Sequence, residues 1–185
     1  MEEKTLKSHK IYEGKIISLR IDTVELPDQK YSKREVVEHS GAAAVIPMTK
    51  EGNVILVKQY RKPVESCLLE IPAGRLEQDE DPETCAKREL MEETGYWSNH
   101  FEKLMVYYTS PGFSNELIHI YLAYDVEEGK SNPDEDEYLE VLSIPFDHLL
   151  NKVYAGEVMD SKTIIAVMSS ASRILHLRNK QINAE

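Results

Sequence analysis

The stretch GRLEQDEDPETCAKRELMEETGY, residues 74–96, decides how the rest of the chain is read. Asp81 followed by Pro82 marks a helix start, an aspartate cap with proline at the first helical position, and Gly95 marks its stop. Inside that helix Glu89, Glu92 and Glu93 stand at i, i+3 and i+4, so they leave one face within an arc of about 100°. Ala86 and Leu90 sit at the edge of the arc and can face a core. Like charges at this spacing repel by roughly a few tenths of a kcal/mol per pair, and the C-terminal end of a helix disfavours anions. Arg88 can pair with Glu92 or reach back to Glu80, but one arginine cannot neutralise so many carboxylates. A hard divalent cation with oxygen ligands is the natural compensation.

Outward from the helix, short apolar or alternating runs bounded by turn residues read as strands at residues 42–47, 54–58 and 117–126, with further strands at 68–71, 104–109 and 138–143. On the N-terminal side, residues 15–26 and 33–38 flank Pro27, Asp28 and Gln29, which predicts a hairpin or meander with a proline-initiated turn. Two more helices are expected, over residues 146–154 and 161–177. The last carries Ile164, Ile165, Met168, Ile174 and Leu175 at helical spacing, and is expected to pack on the sheet with that stripe. Residues 127–137, EEGKSNPDEDE, read as a loop. Interspersed strands and helices predict an α/β fold, an α/β/α sandwich with a mixed sheet, preceded by an antiparallel N-terminal β arm. The boundary is expected between residues 1–40 and 41–185.

Composition bounds the partners. The chain has 185 residues, 41% hydrophobic and 30% charged, with 22 basic against 33 acidic side chains and a net charge of −11. Such a charge opposes attraction to DNA and to anionic membranes. An anionic substrate would therefore have to be met through a cation. No apolar run reaches the roughly 18 residues of a membrane span, and residues 1–10 lack the apolar core of a secretory signal, so a cytoplasmic protein is expected. The two cysteines, Cys67 and Cys85, have no histidine partners at zinc-ligand spacing and are expected to be reduced thiols. His39 and His119, in strand segments without ligand neighbours, are expected to be structural.

Gly74, Glu80, Arg88, Glu89, Leu90, Glu92, Glu93 and Gly95 together match the pattern G-x5-E-x7-R-E-U-x-E-E-x-G-U, in which U is a bulky aliphatic. With each fixed residue used at roughly 5 to 10%, a chance match at a given start falls below about one in 10⁸. The sequence resembles the Nudix hydrolases. One departure is Tyr96 at the final U position, which can still offer an apolar face. The resemblance implies hydrolysis of a nucleoside diphosphate linked to another group, with Glu89, Glu92, Glu93 and the backbone carbonyl of Ala73 holding Mg2+, or Mn2+ in its place. It also implies that Arg88 and Glu80 form the ion pair that orients the loop and helix. Such ions neutralise diphosphate oxygens and activate water.

Features outside that pattern resemble the ADP-ribose pyrophosphatase branch. Pro111, in YYTSPGFSNE, follows Gly95 by sixteen positions, QYRKPVESCLLEIPAG precedes the helix loop, and REVVEH runs into GAAAVIP. This resemblance implies ADP-ribose as substrate, cleaved to AMP and ribose 5-phosphate, with Arg61, Glu70 and Pro111 at substrate-binding positions; Arg34, at the entrance to a strand, can bond substrate or stack on an adenine ring, the alternative being a plain surface role. A guanidinium such as that of Arg61 can donate two parallel hydrogen bonds to phosphate oxygens. Glu70 ends an apolar strand, where an unpaired carboxylate would be costly, so a ligand or metal-linked partner is expected. For the general base, Glu92 lies too close to metal to take protons readily. Glu135 and Glu137, in the acidic loop where that branch carries a mobile catalytic glutamate, are preferred. The branch also implies a homodimer with the N-terminal arm exchanged. Alternative substrates are another nucleotide sugar, a dinucleoside polyphosphate or capped RNA; a non-hydrolytic ADP-ribose sensor is the remaining alternative.

Overall fold

The structure, a computed structural model, describes residues 2–129 and 138–182, with side chains as far as residue 174. Twelve strands and three helices follow in the order β1 (Lys4–Glu13), β2 (Ser18–Glu25), β3 (Tyr31–Glu38), β4 (Ala42–Pro47), β5 (Asn53–Arg61), β6 (Ser66–Glu70), β7 (Ala73–Arg75), α1 (Pro82–Thr94), β8 (Tyr96–Trp97), β9 (His100–Tyr108), β10 (Leu117–Tyr124), β11 (Glu127–Glu128), β12 (Leu139–Pro145), α2 (Phe146–Tyr154) and α3 (Ser161–Ile182). They form two compact units, residues 1–42 with 106–118, and residues 43–105 with 119–185.

In the first unit β1, β2 and β3 make an antiparallel sheet in that order. The β2–β3 turn is the one the proline predicts. Leu26 N–H bonds Lys30 O at 2.7 Å, and Gln29 takes the left-handed region at φ 63°. The sequence reading did not anticipate β1. Every residue of that strand is exposed, so it has no buried face to impose alternation, and pairing with β2 is what makes it a strand.

The second unit holds the core. Its strands divide between a four-stranded sheet, β7-β4-β10-β9, and a three-stranded sheet, β12-β5-β6, with β5 antiparallel to both neighbours. Along β4, Ala43 and Val45 join Cys85, Ala86 and Leu90 of α1 in one apolar cluster, together with Ile55, Tyr121, Ala123 and Val126. The alternate residues, Ala44, Ile46, Leu56, Ile120 and Leu122, are equally buried, so these strands are covered on both faces. Helix α2 packs on β5 and β12, and α3 on β6 and α2. Phe146 and Leu149 of α2, and Val167 and Ile174 of α3, are fully buried or nearly so. Helices on both sides of sheet make the α/β/α sandwich that the sequence predicts. Tyr96, the departure from the aliphatic pattern, packs against the α1 cluster.

Three expectations need correction. Helix α3 runs to Ile182 rather than 177, and its buried face is Lys162, Thr163, Ala166, Val167, Ser170 and Ile174, while Met168 is 45% exposed. The large aliphatics suggested one stripe, but close packing against α2 and β6 selects the small side chains. Residues 127–137 are not all loop, since Glu127 and Glu128 pair with Trp97 and Tyr96. His39 lies just past β3, where its Nδ1 accepts the Gly41 N–H at 3.0 Å.

Candidate metal and substrate site

Helix α1 is bounded as its end residues dictate. The Asp81 carboxylate accepts the N–H groups of Glu83 (3.0 Å) and Thr84 (3.2 Å), and Gly95, at φ 76°, closes the other end by donating its N–H to Met91 O. With Cys85, Ala86 and Leu90 sunk in the core, the helix cannot rotate, and the carboxylates are carried to a defined place. Their surroundings are unlike a solvated face. Glu89 is 9% exposed and Glu93 4%, while the Glu92 side chain keeps 37%.

Arg88 ties this place together. Its Nε and Nη2 grip both oxygens of Glu80 at 3.0 and 3.1 Å, and its Nη1 reaches Glu89 Oε1 at 2.6 Å and Glu92 Oε2 at 2.9 Å. Nη2 also donates to Arg75 O at 3.3 Å, fastening the loop that leads into the helix. The bonds from Arg88 outweigh the effect of desolvation and hold the Glu80 carboxyl down at about 2, and the same bonds raise the guanidinium's own value. Burial, reinforced by the nearby Glu80 charge, pushes the Cys85 thiol up to about 12, so it stays protonated beneath the loop.

The loop is fitted to the helix as closely. Ala73 N–H donates to Glu93 Oε2 at 3.2 Å. A Cβ on Gly74 would lie 1.8 Å from Glu89 Oε1 and 2.0 Å from its Cδ, so the Glu89 carboxylate occupies the space that any other residue would fill. Among the described residues no three acidic, cysteine or histidine side chains stand together as a ready ion cage, because Arg88 draws Glu89 and Glu92 to itself while Glu93 bonds the Ala73 N–H. The donor chemistry still fits a hard divalent cation. All three side chains offer carboxylate oxygens, two of them buried, against a loop in which glycine leaves them room.

Beside this lies a second charged group. Arg61, at the end of β5, grips Glu70 of β6 in a two-pronged pair, Nε to Oε1 at 2.8 Å and Nη2 to Oε2 at 2.7 Å. Glu70 is 1% exposed, and its second cation is Lys162 of α3, which also donates to Asp160 Oδ1 at 3.0 Å. Burial pushes the Glu70 carboxyl up, but Arg61 and Lys162 together outweigh that and hold it below its ordinary value. Within the chain, Glu70 is partnered by two side chains, Arg61 and Lys162. Lys162 and Asp160 were not found from sequence. The signal was there in a capping aspartate and a lysine at the start of the helix, but reading that helix as an aliphatic stripe hid it.

In the other unit, Arg34 of β3 binds Glu3 through Nε at 2.9 Å and Nη2 at 2.6 Å, and Pro111 lies exposed in a turn closed by Ser114 N–H to Ser110 O. His119, on β10, is half-buried, and burial pushes its imidazole down. Glu135 and Glu137 lie outside the described residues.

One arginine thus closes an acidic helix onto a glycine loop inside an α/β/α sandwich. A family model described as the NUDIX domain matches residues 38–164, and one described as the nucleoside diphosphate sugar hydrolase N-terminal domain matches residues 3–37. The chain belongs to the Nudix family. It is 48% identical, over 90% of its own length and 91% of the relative's, to an ADP-ribose pyrophosphatase of Bacillus subtilis (strain 168). It is also 46% identical, over 90% and 91%, to a methanol dehydrogenase activator of Bacillus methanolicus. A solved structure described as an ADP compounds hydrolase superposes with a TM-score of 0.84, covering 96% of both chains at 19% identity, and that likeness carries the fold alone.

Proposed function

We propose that the protein hydrolyses the diphosphate bond of ADP-ribose to AMP and ribose 5-phosphate, with magnesium, or manganese in its place. The observation that carries the reading is the closure of the Gly74 loop onto Glu89 under the grip of Arg88, in a chain 48% identical to an ADP-ribose pyrophosphatase. Glu89, Glu92, Glu93 and the Ala73 carbonyl would hold the ion. When bound, it supplies charge neutralisation on the non-bridging phosphate oxygens and a lowered pKa for water.

The protein's own groups do the rest. Arg88 orients the carboxylates and balances part of their charge. Arg61, with its side chain 40% exposed, presents a positive charge to the diphosphate. Glu70 keeps that guanidinium in place, and Arg34 and Pro111 bear on the remainder of the substrate. Glu135 or Glu137 serves as the base in preference to Glu92, which is taken up with holding the ion. The protein acts as a homodimer through its N-terminal arm, residues 1–40, where Leu6, Ile11 and Tyr12 are about half exposed. Free thiols at Cys67 and Cys85 suit a reducing, cytoplasmic setting. A net charge of −11 leaves nucleic acid and anionic membrane as poor partners.

Another nucleotide sugar is the second reading, favoured by the match of residues 3–37 to a nucleoside diphosphate sugar hydrolase domain. The deciding experiment incubates the protein with ADP-ribose in ¹⁸O-water, with magnesium or with chelator, and resolves products by mass. AMP and ribose 5-phosphate appearing only with magnesium are expected, the label marking the attacked phosphorus. Intact ADP-ribose alongside cleavage of another nucleotide sugar would transfer the assignment to the second reading.

A further inference from the structure

Glu70 has one cation too many for a simple ion pair. Its Oε1 accepts from Arg61 Nε, while its Oε2 accepts from both Arg61 Nη2 and Lys162 Nζ. The two cations differ in access, since the Arg61 side chain is 40% exposed and that of Lys162 only 11%. An anion arriving from solvent therefore meets Arg61 and not Lys162.

We propose that Lys162 is a positioning residue for the diphosphate clamp: it keeps Glu70 neutralised so that the Arg61 guanidinium can turn from carboxylate to phosphate. The proposal rests on the reading of Arg61 as the group that binds the diphosphate. Arg61 gives Nε and one Nη2 hydrogen to Glu70 and keeps its other N–H groups for phosphate, and phosphate oxygens that draw the guanidinium toward them weaken its two bonds to Glu70. A carboxylate 1% exposed and stripped of its counter-charge is a high-energy state, and that cost would be subtracted from substrate binding. Lys162 removes it by staying behind.

The geometry holds Lys162 there. Its ammonium also donates to Asp160 Oδ1 at 3.0 Å, and the other oxygen of Asp160 caps α3 by accepting Thr163 N–H at 2.9 Å and Thr163 Oγ1 at 2.6 Å. Thr163 Oγ1 in turn accepts the N–H of Ile71 at 2.8 Å, the residue next to Glu70. Lysine, helix start and strand end thus form one closed set of hydrogen bonds. Arg61 is hydrogen-bonded to that set through Glu70 and carries its charge on a long, half-exposed side chain.

The experiment compares wild-type protein with Lys162→Met, Lys162→Gln and Lys162→Arg, reading two quantities in each. The first is the exchange rate of the Arg61 Nε–H by NMR in ¹⁵N-labelled protein, its signal identified by its loss in Arg61→Lys. The second is KM and kcat for ADP-ribose. Without Lys162, Glu70 depends on Arg61 alone and holds it harder, so Lys162→Met is expected to slow the exchange several-fold. It should also raise KM about tenfold with kcat within about twofold, the pattern of lost uniform binding. Lys162→Arg, which returns the charge, should restore both. Lys162→Gln should follow Lys162→Met and decides the matter if the methionine variant does not fold. Unchanged exchange, unchanged KM, or a fall in kcat alone in a folded variant overturns the proposal. If wild-type protein leaves ADP-ribose intact, the substrate reading fails by itself. The positioning role is then decided by calorimetric affinity for ADP in the same variants, expected to fall by the same factor and overturned if it does not.

Discussion

Gly74 shows how one residue can be required by chemistry that lies elsewhere. Its absent side chain is the space for the Glu89 carboxylate, with Oε1 1.8 Å from where a Cβ would stand. Gly74→Ala must push the Glu89 carboxylate aside, away from Arg88 Nη1. The expected outcome is a lowered thermal midpoint together with weaker magnesium binding, read by unfolding with and without the ion. Glu93→Gln should weaken both magnesium binding and turnover, since Glu93 is buried and bonded to Ala73 N–H. Glu135→Gln or Glu137→Gln should lower turnover and leave magnesium binding intact. Titration calorimetry beside steady-state rates separates the two patterns, and wild-type turnover in both loop variants would refute the loop as the source of the base.

At the scale of the element, α1 owes its position to Asp81, Gly95 and the core residues Cys85, Ala86 and Leu90, and its charge balance to the Arg88–Glu80 pair. That pair gives the helix a pH signature. The Glu80 carboxyl is depressed from 4.5 to about 2, so its stabilisation is fully present above pH 4.5 and is lost as the pH falls toward 2. Thermal midpoints measured between pH 6 and pH 2 should fall through that window, and Glu80→Gln should show a shallower fall from a lower starting point at neutral pH. The ends and acidic face of α1 were legible in the sequence because caps and i, i+3, i+4 spacing are local properties. The buried face of α3 was not, because Ile164, Ile165 and Met168 satisfy helical periodicity as well as Thr163, Ala166, Val167 and Ser170 do. Only the neighbouring α2 and β6 select between the two stripes.

Over the whole molecule, the proposed dimer rests on the exposed strand of the N-terminal sheet. Leu6, Ile11 and Tyr12 lie about half exposed on a strand with no buried residue. Light scattering behind size exclusion should report a dimer for the intact protein, and Leu6→Ser with Ile11→Ser should shift the mass toward the monomer while the thermal transition of the remainder persists. A monomeric wild-type protein at micromolar concentration would refute the arm as a dimer surface. What the sequence by itself determined is the local grammar: the boundaries of α1 and α2, the β2–β3 turn, the chemistry of the carboxylate helix and the Nudix resemblance, all set by residues within a few positions of one another. The tertiary structure alone decided that β1 is a strand, that Glu89 and Glu93 are buried, and that Gly74 makes room for Glu89. It also decided that Glu70 is shared by Arg61 and Lys162 across 92 positions of chain. Those outcomes depend on which groups lose their water together, and desolvation is a property of the packed chain that no local run of residues specifies.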